Sequence, residues 1–192
     1  MYKAKLLLGT LVVLCCSGFA LGQMPSPPPA KSPGDALNFD LGIAEHDFVP
    51  AAEAMPEDKY SFAPTNGEFK GVRTFGEQVK HVSAANYMFG ASILGEKPPV
   101  DLGGENGPDS LKTKAEILKF MNDSFAYLHK ALASITAQNE LEQIQSPFGM
   151  KVARLSLASF STTHPFDHYG QMVEYLRMNG IVPPASRPQP KK

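Results

Sequence analysis

Apolar residues recur at intervals of three and four along four segments of the chain, and no segment alternates convincingly between apolar and polar residues. Intervals of three and four place side chains on one face of an α-helix, whereas alternation is typical of a half-buried strand. Four amphipathic helices without strands must bury their apolar faces against one another. The sequence therefore predicts an all-α fold, an antiparallel four-helix bundle. The predicted helices span about residues 36–54, 74–94, 113–135 and 151–179.

Two of these helices begin with the signature of a capping box. Thr74 is followed three residues later by Glu77, and Thr113 by Glu116. In this arrangement, the hydroxyl and the carboxylate satisfy backbone N–H groups that the first turn of a helix leaves without partners. Gly180, with two prolines soon after it, marks the end of the fourth helix.

The start of the chain has the pattern of a signal peptide over residues 1–22. Lys3 and Lys5 precede the apolar run Leu6–Cys16, and small residues then lead to a cleavage site before Gln23. The apolar run is too short to span a bilayer as a helix. We therefore expect an exported protein, periplasmic or secreted, with no transmembrane segment in the mature chain.

Proline is concentrated on either side of the predicted bundle. Five prolines lie within residues 25–33, and four more lie between residues 183 and 190. A chain of this composition is extended and cannot form helix or core. The mature chain is therefore divided into a Pro-rich spacer at 23–34, the bundle at 35–182 and a Pro/Lys-rich tail at 183–192.

Charge and cysteine content exclude several classes of function. The formal net charge is −1 and no polybasic block occurs, which argues against binding to nucleic acid or anionic lipid. Both cysteines, Cys15 and Cys16, lie inside the predicted leader, so the mature chain has no disulfide, thiolate nucleophile or cysteine ligand.

Histidine spacing indicates where chemistry could occur. His164 and His168 are four residues apart on the fourth helix, which places two imidazoles on one face, one turn apart. Such a pair is half of a metal site, although pairs also arise by chance on exposed faces. His81 lies among apolar residues of the second helix, where a buried histidine needs a hydrogen-bond or metal partner. His46 and His129 have solvated neighbourhoods and are interpreted as surface residues.

Three motifs around these histidines resemble those of the DinB-like (damage-inducible protein) superfamily. Residues 164–171, HPFDHYGQ, resemble its final motif, and residues 75–82, FGEQVKHV, resemble its second-helix motif. Residues 175–184, YLRMNGIVPP, resemble its C-terminal stretch. Each motif alone is weak, but their order and spacing together are specific, and the resemblance covers about residues 36–186.

The resemblance implies a bundle that holds a divalent metal ion through His81, His164 and His168. Nitrogen ligands suit Zn, Ni or Fe alike. Gln171 lies three residues beyond His168 on the same stripe, close enough to orient a ligand or a bound water. Two further polar residues of this motif are expected near the ion, and they are Asp167 and Tyr169.

Three functions remain open at this point. The first is an exported metal-dependent hydrolase or transferase acting on a small molecule, because three histidines leave coordination positions free for water and substrate. The second is a non-catalytic bundle that binds a metal or a small ligand. The third is a structural or partner-binding helical protein whose histidines are hydrogen-bonded core residues. A homodimer is compatible with all three.

Export is tested by N-terminal sequencing of the protein recovered from cell fractions. We expect the mature chain to begin near Gln23 and to be found outside the cytoplasm, because the leader is removed on translocation. An intact Met1 on cytoplasmic protein would contradict the prediction, as would a lipid-modified cysteine.

Overall fold

The computed structural model describes residues 29–188 and confirms the all-α bundle. α1 and α2 each pack against both α3 and α4, so the core lies between the four helices. The predicted signal peptide and residues 23–28 of the spacer lie outside the described residues, as do residues 189–192 of the tail. The four helices are α1 Pro33–Ala54, α2 Phe75–Leu94, α3 Lys114–Ala133 and α4 Arg154–Met178.

The helix starts agree closely with the capping signals. The backbone N–H of Thr74 donates to the Glu77 carboxylate at 2.8 Å, and that of Glu77 donates to the Thr74 hydroxyl at 3.3 Å. The pair at the start of α3 forms the same reciprocal bonds. α1 begins at Pro33, earlier than expected, because the Ser32 hydroxyl caps it and proline suits the first helical position.

A short β-hairpin precedes α4 and was not expected from the sequence. β1 Gln143–Gln145 pairs antiparallel with β2 Lys151–Ala153. The predicted start of the fourth helix at residue 151 is therefore wrong, because residues 151–153 belong to the second strand. Three-residue strands are too short for alternation to be recognised in a sequence. α4 then runs without interruption through Pro165, which is buried inside it.

Apolar side chains from all four helices fill the core. Phe48 of α1 and Phe125 of α3 contact each other with ring centroids 5.9 Å apart. A smaller cluster of Ala84, Tyr87 and Phe120 lies between α2 and α3. None of the helices in residues 29–188 is both long enough and apolar enough to cross a membrane. Further large side chains that are fully buried are Phe75, Phe89, Leu41, Ile93, Met121, Leu128, Leu132 and Met172.

Two glycines of α1 make a matched pair for testing this packing. A Cβ at Gly34 would press on the Leu132 carbonyl and lie 2.9 Å from the Ile135 carbonyl, where α1 touches the end of α3. A Cβ at Gly42 would meet nothing within 4 Å. The same substitution is therefore a backbone clash at one position and a gain in helix propensity at the other.

We expect Gly34→Ala to lower the free energy of unfolding by about 1–3 kcal/mol, since backbone must move to relieve the clash. Gly42→Ala should raise it by about 0.5–1 kcal/mol, because alanine favours a helix interior over glycine. Urea unfolding followed by circular dichroism measures both changes. Equal effects of the two substitutions would contradict the close approach of α1 to α3.

Candidate metal centre

Three histidines from two helices converge on one point. His81 of α2 and the pair His164 and His168 of α4 each offer a ring nitrogen, and these nitrogens lie within 4.8 Å of one another. The ring centroids are 4.7–5.3 Å apart. Nitrogens bound at about 2.1 Å to a tetrahedral ion lie about 3.4 Å apart, so modest ring rotations would suffice to reach that geometry. The three histidines could therefore hold a metal ion.

The buried ring of His168 is fixed by a hydrogen bond to a side chain of α2. Its Nδ1 lies 2.6 Å from Oε1 of Gln78, which accepts a hydrogen bond from the Nδ1–H group and so leaves the lone pair on Nε2. The amide of Gln78 in turn donates to Oε1 of Gln171 at 2.8 Å. Gln171 donates to the Asp167 carboxylate at 3.3 Å. This chain of side chains sets both the tautomer and the orientation of the imidazole.

The ring of His81 is oriented by a loop rather than by a helix. Its Nδ1 lies 2.6 Å from the backbone oxygen of Glu105, so here too Nε2 keeps the lone pair. The loop is held close to α2 because the Lys80 ammonium donates to the Pro108 carbonyl at 3.1 Å. A Cβ at Gly107 would lie 2.6 Å from that of Lys80, so only glycine permits this approach.

The ring of His164 has a nitrogen without a partner. Its Nδ1 is buried, and within residues 29–188 no group forms a hydrogen bond with it. An unpaired buried polar atom costs about 1–3 kcal/mol unless a ligand or an ion satisfies it. Together with the two oriented imidazoles, this atom fits a site for a divalent ion.

All three imidazoles are held in the neutral form that binds metals. Burial, and then the neighbouring His168 and His81, lower the pKa of His164 from 6.5 to about 3. Burial, followed by His81 and Arg73, lowers the pKa of His168 to about 4. Burial also lowers the pKa of His81. At neutral pH no proton therefore competes for the ring nitrogens.

Of the three polar residues expected near the ion, two are connected to His168 and the third is not. Asp167 has a carboxylate oxygen 4.0 Å from Nε2 of His168, and Gln171 reaches the same histidine through Gln78. Tyr169 packs against the main core, where burial and then Asp47 of α1 raise its pKa. Among the described residues, no hydrogen bond or ring contact joins Tyr169 to the three histidines. Its side chain points about 100° around the helix from that of His168.

The remaining histidines lie away from this cluster. His46 is exposed, and its Nδ1 lies 3.2 Å from Oδ1 of its neighbour Asp47. His129 is half-buried, and its two ring nitrogens lie 2.6 Å from Asn38 Oδ1 and 3.0 Å from Glu45 Oε2, which ties α3 to α1. The interpretation of His46 as a surface residue agrees with this placement, whereas His129 is a bridging residue between helices.

Comparison with protein families gives a match over most of the bundle. The model of the DinB superfamily matches residues 41–172, which include the three histidines together with Gln78 and Gln171. No curated protein matches the chain.

The lowered pKa values predict how stability depends on pH. Between about pH 6.5 and pH 4 the unfolded chain takes up protons at His164 and His168 that the folded chain excludes, so the free energy of unfolding should fall as the pH falls through this range. His164→Asn removes one of these groups and should make the dependence of the metal-free protein shallower. His46→Asn, at an exposed position, should leave it unchanged.

Urea unfolding of the chelator-treated protein at four pH values across this range measures the dependence. An identical pH dependence in the parent and in His164→Asn would contradict the burial of a neutral imidazole at this position.

Proposed function

The chain belongs to the DinB superfamily, and on this basis we propose that it is an exported metal-dependent enzyme, a hydrolase or transferase acting on a small molecule. The observation that carries the proposal is the convergence of His81, His164 and His168 in neutral form. Three imidazoles leave a coordination position open for water or substrate, as in catalytic rather than structural sites. The ion is proposed to be Zn, Ni or Fe.

A bound divalent ion would supply Lewis acidity, which lowers the pKa of water and polarises a substrate oxygen. The chain's own contribution begins with orientation. Gln78 and the Glu105 carbonyl hold protons on Nδ1 of His168 and His81, so that Nε2 of each ring stays available as a ligand. Because Gln78 is buried and the loop that carries Glu105 is held to α2 by the bond from Lys80, the two rings need little reorganisation when an ion or a substrate binds.

Asp167 is the carboxylate best placed to accept a proton. Its Oδ2 lies 4.0 Å from Nε2 of His168, and the Gln171 amide donates to the same oxygen at 3.3 Å. Two other carboxylates in this region are engaged elsewhere: Glu77 caps α2, and Glu105 pairs with Arg73 at 3.1 Å. We assign Asp167 the role of base toward a water that attacks the substrate.

The alternative function is a non-catalytic bundle that binds a metal or a small ligand. It is favoured by the exposure of Asp167, whose side chain is 75% accessible and, in the described part of the chain, makes no hydrogen bond to a ring nitrogen of the three histidines. The structural or partner-binding alternative requires histidines that are satisfied within the core. The unpaired Nδ1 of His164 argues against it.

Metal content separates the metal-binding functions from the structural one. His81→Ala, His164→Ala and His168→Ala should each lose most of the bound metal, because two imidazoles cannot replace three. His46→Ala should keep it. Elemental analysis of the purified mature protein measures the metal per chain, and equal metal in His168→Ala and in the parent would end the proposal.

Asp167→Asn tests the catalytic role separately from metal binding. This variant should retain the metal and lose hydrolytic activity by about 10²- to 10⁴-fold, the usual contribution of a general base. The control is Asp123→Asn, an exposed carboxylate on α3. Rates are measured on a panel of esters and amides with the metal-loaded protein. Full activity in Asp167→Asn would refute its assignment as the base.

A further inference from the structure

Three phenylalanines pack together, and two of them contact the ring of His164. Phe89 of α2, Phe160 of α4 and Phe148 of the turn between β1 and β2 have ring centroids 5.5–6.0 Å apart. Phe89 and Phe160 also lie 5.6 Å and 6.0 Å from the ring of His164. We call Phe89, Phe148 and Phe160 the aromatic wall. It is continuous with an imidazole of the candidate metal centre.

Two members of the aromatic wall are open to solvent although they are held in place. Phe148 is 54% exposed and Phe160 is 44% exposed, whereas Phe89 is buried beneath them. The turn that carries Phe148 is closed by two bonds to the Met150 carbonyl, from the Ser146 N–H at 2.9 Å and from the Ser146 hydroxyl at 2.7 Å. Exposed aromatic surface is unfavourable in water, so a fixed apolar surface beside a reactive centre indicates a ligand.

The surroundings of His81 are also apolar. A cavity of about 290 Å³ borders His81 and is lined by Ala84, Ala85, Met88 and Leu102, together with the loop at residues 103–105. Its one charged lining residue, Glu105, is paired with Arg73, so the pair has no net charge. A ligand at the centre therefore meets apolar surface both at the aromatic wall beside His164 and at the cavity beside His81.

We propose that the ligand of this centre is a small aromatic compound that carries an oxygen donor. The inference depends on the proposed metal function, because the donor oxygen would occupy the coordination position that the three histidines leave open. The ring would pack on the exposed faces of Phe148 and Phe160, where stacked and edge-to-face ring pairs attract beyond simple burial. The specificity comes from the aromatic wall and the ligation from the histidines.

A matched pair of probes separates these two contributions. Acetohydroxamate and benzohydroxamate present the same pair of oxygen donors and differ in carrying a methyl group or a phenyl ring. Each is titrated into the cobalt-loaded mature protein, and binding is followed by the visible absorption of the ion and by calorimetry. In the parent protein we expect benzohydroxamate to bind about tenfold more tightly than acetohydroxamate, since a buried ring adds both burial and ring contacts.

Substitutions in the aromatic wall should act on the ratio of the two affinities. Phe160→Ala and Phe148→Ala should each lower the ratio by about threefold or more, and Phe160→Leu should lower it less because it keeps apolar volume. Affinity for acetohydroxamate should stay near that of the parent and thus reports on folding and metal content. The control is Phe39→Ala, a similarly exposed phenylalanine on α1.

The outcomes distinguish this inference from the function on which it rests. Failure of the protein to bind cobalt would overturn both. Cobalt and acetohydroxamate binding with the same affinity ratio in Phe160→Ala, Phe148→Ala and the parent would overturn the inference alone. A change from dimer to monomer in Phe148→Ala, with the ratio unchanged, would identify the wall as an interface between copies and would equally contradict the inference. A lowered ratio in both wall variants with Phe39→Ala unchanged would support it.

Discussion

The hydrogen bond between Gln78 and His168 is the contact on which the candidate site depends. It joins α2 to α4 in the buried interior at 2.6 Å, and it brings His81, three residues beyond Gln78, beside the paired histidines. A buried bond of this kind is costly to break, because both groups would lose water without gaining another partner. This one interaction therefore sets the tautomer of His168 and links α2 to α4 at the candidate site.

Much of the fold was predictable because local rules determine it. The capping pairs at Thr74 and Thr113 and the intervals of three and four set the starts of α2 and α3 and the helical class. The hairpin before α4 was missed since strands of three residues carry no readable period. The start of α1 was misplaced because the Ser32 cap lies within a segment interpreted as spacer.

The candidate site was predictable only in part. The pairing of His164 with His168 follows from helical spacing. The apolar neighbours of His81 make it a candidate for a metal partner, and the family resemblance selects it as the third ligand. The groups that orient the rings are distant in the sequence: Gln78 is 90 residues from His168, and Glu105 is 24 residues from His81. No local sequence pattern encodes such contacts. Phe148 could not be placed beside Phe89 and Phe160 without the hairpin. A polar residue three positions before a histidine on a buried face is the one signal that would have indicated Gln78.

The convergence of three neutral imidazoles from two helices is the central feature of the site, and X-ray absorption at the metal edge tests it most directly. The spectrum of the metal-loaded protein counts imidazole rings around the ion and measures their distances. We expect three imidazoles with nitrogens at about 2.0–2.1 Å from the ion, and oxygen atoms in the remaining coordination positions. Fewer than three imidazoles per ion in the parent protein would contradict it.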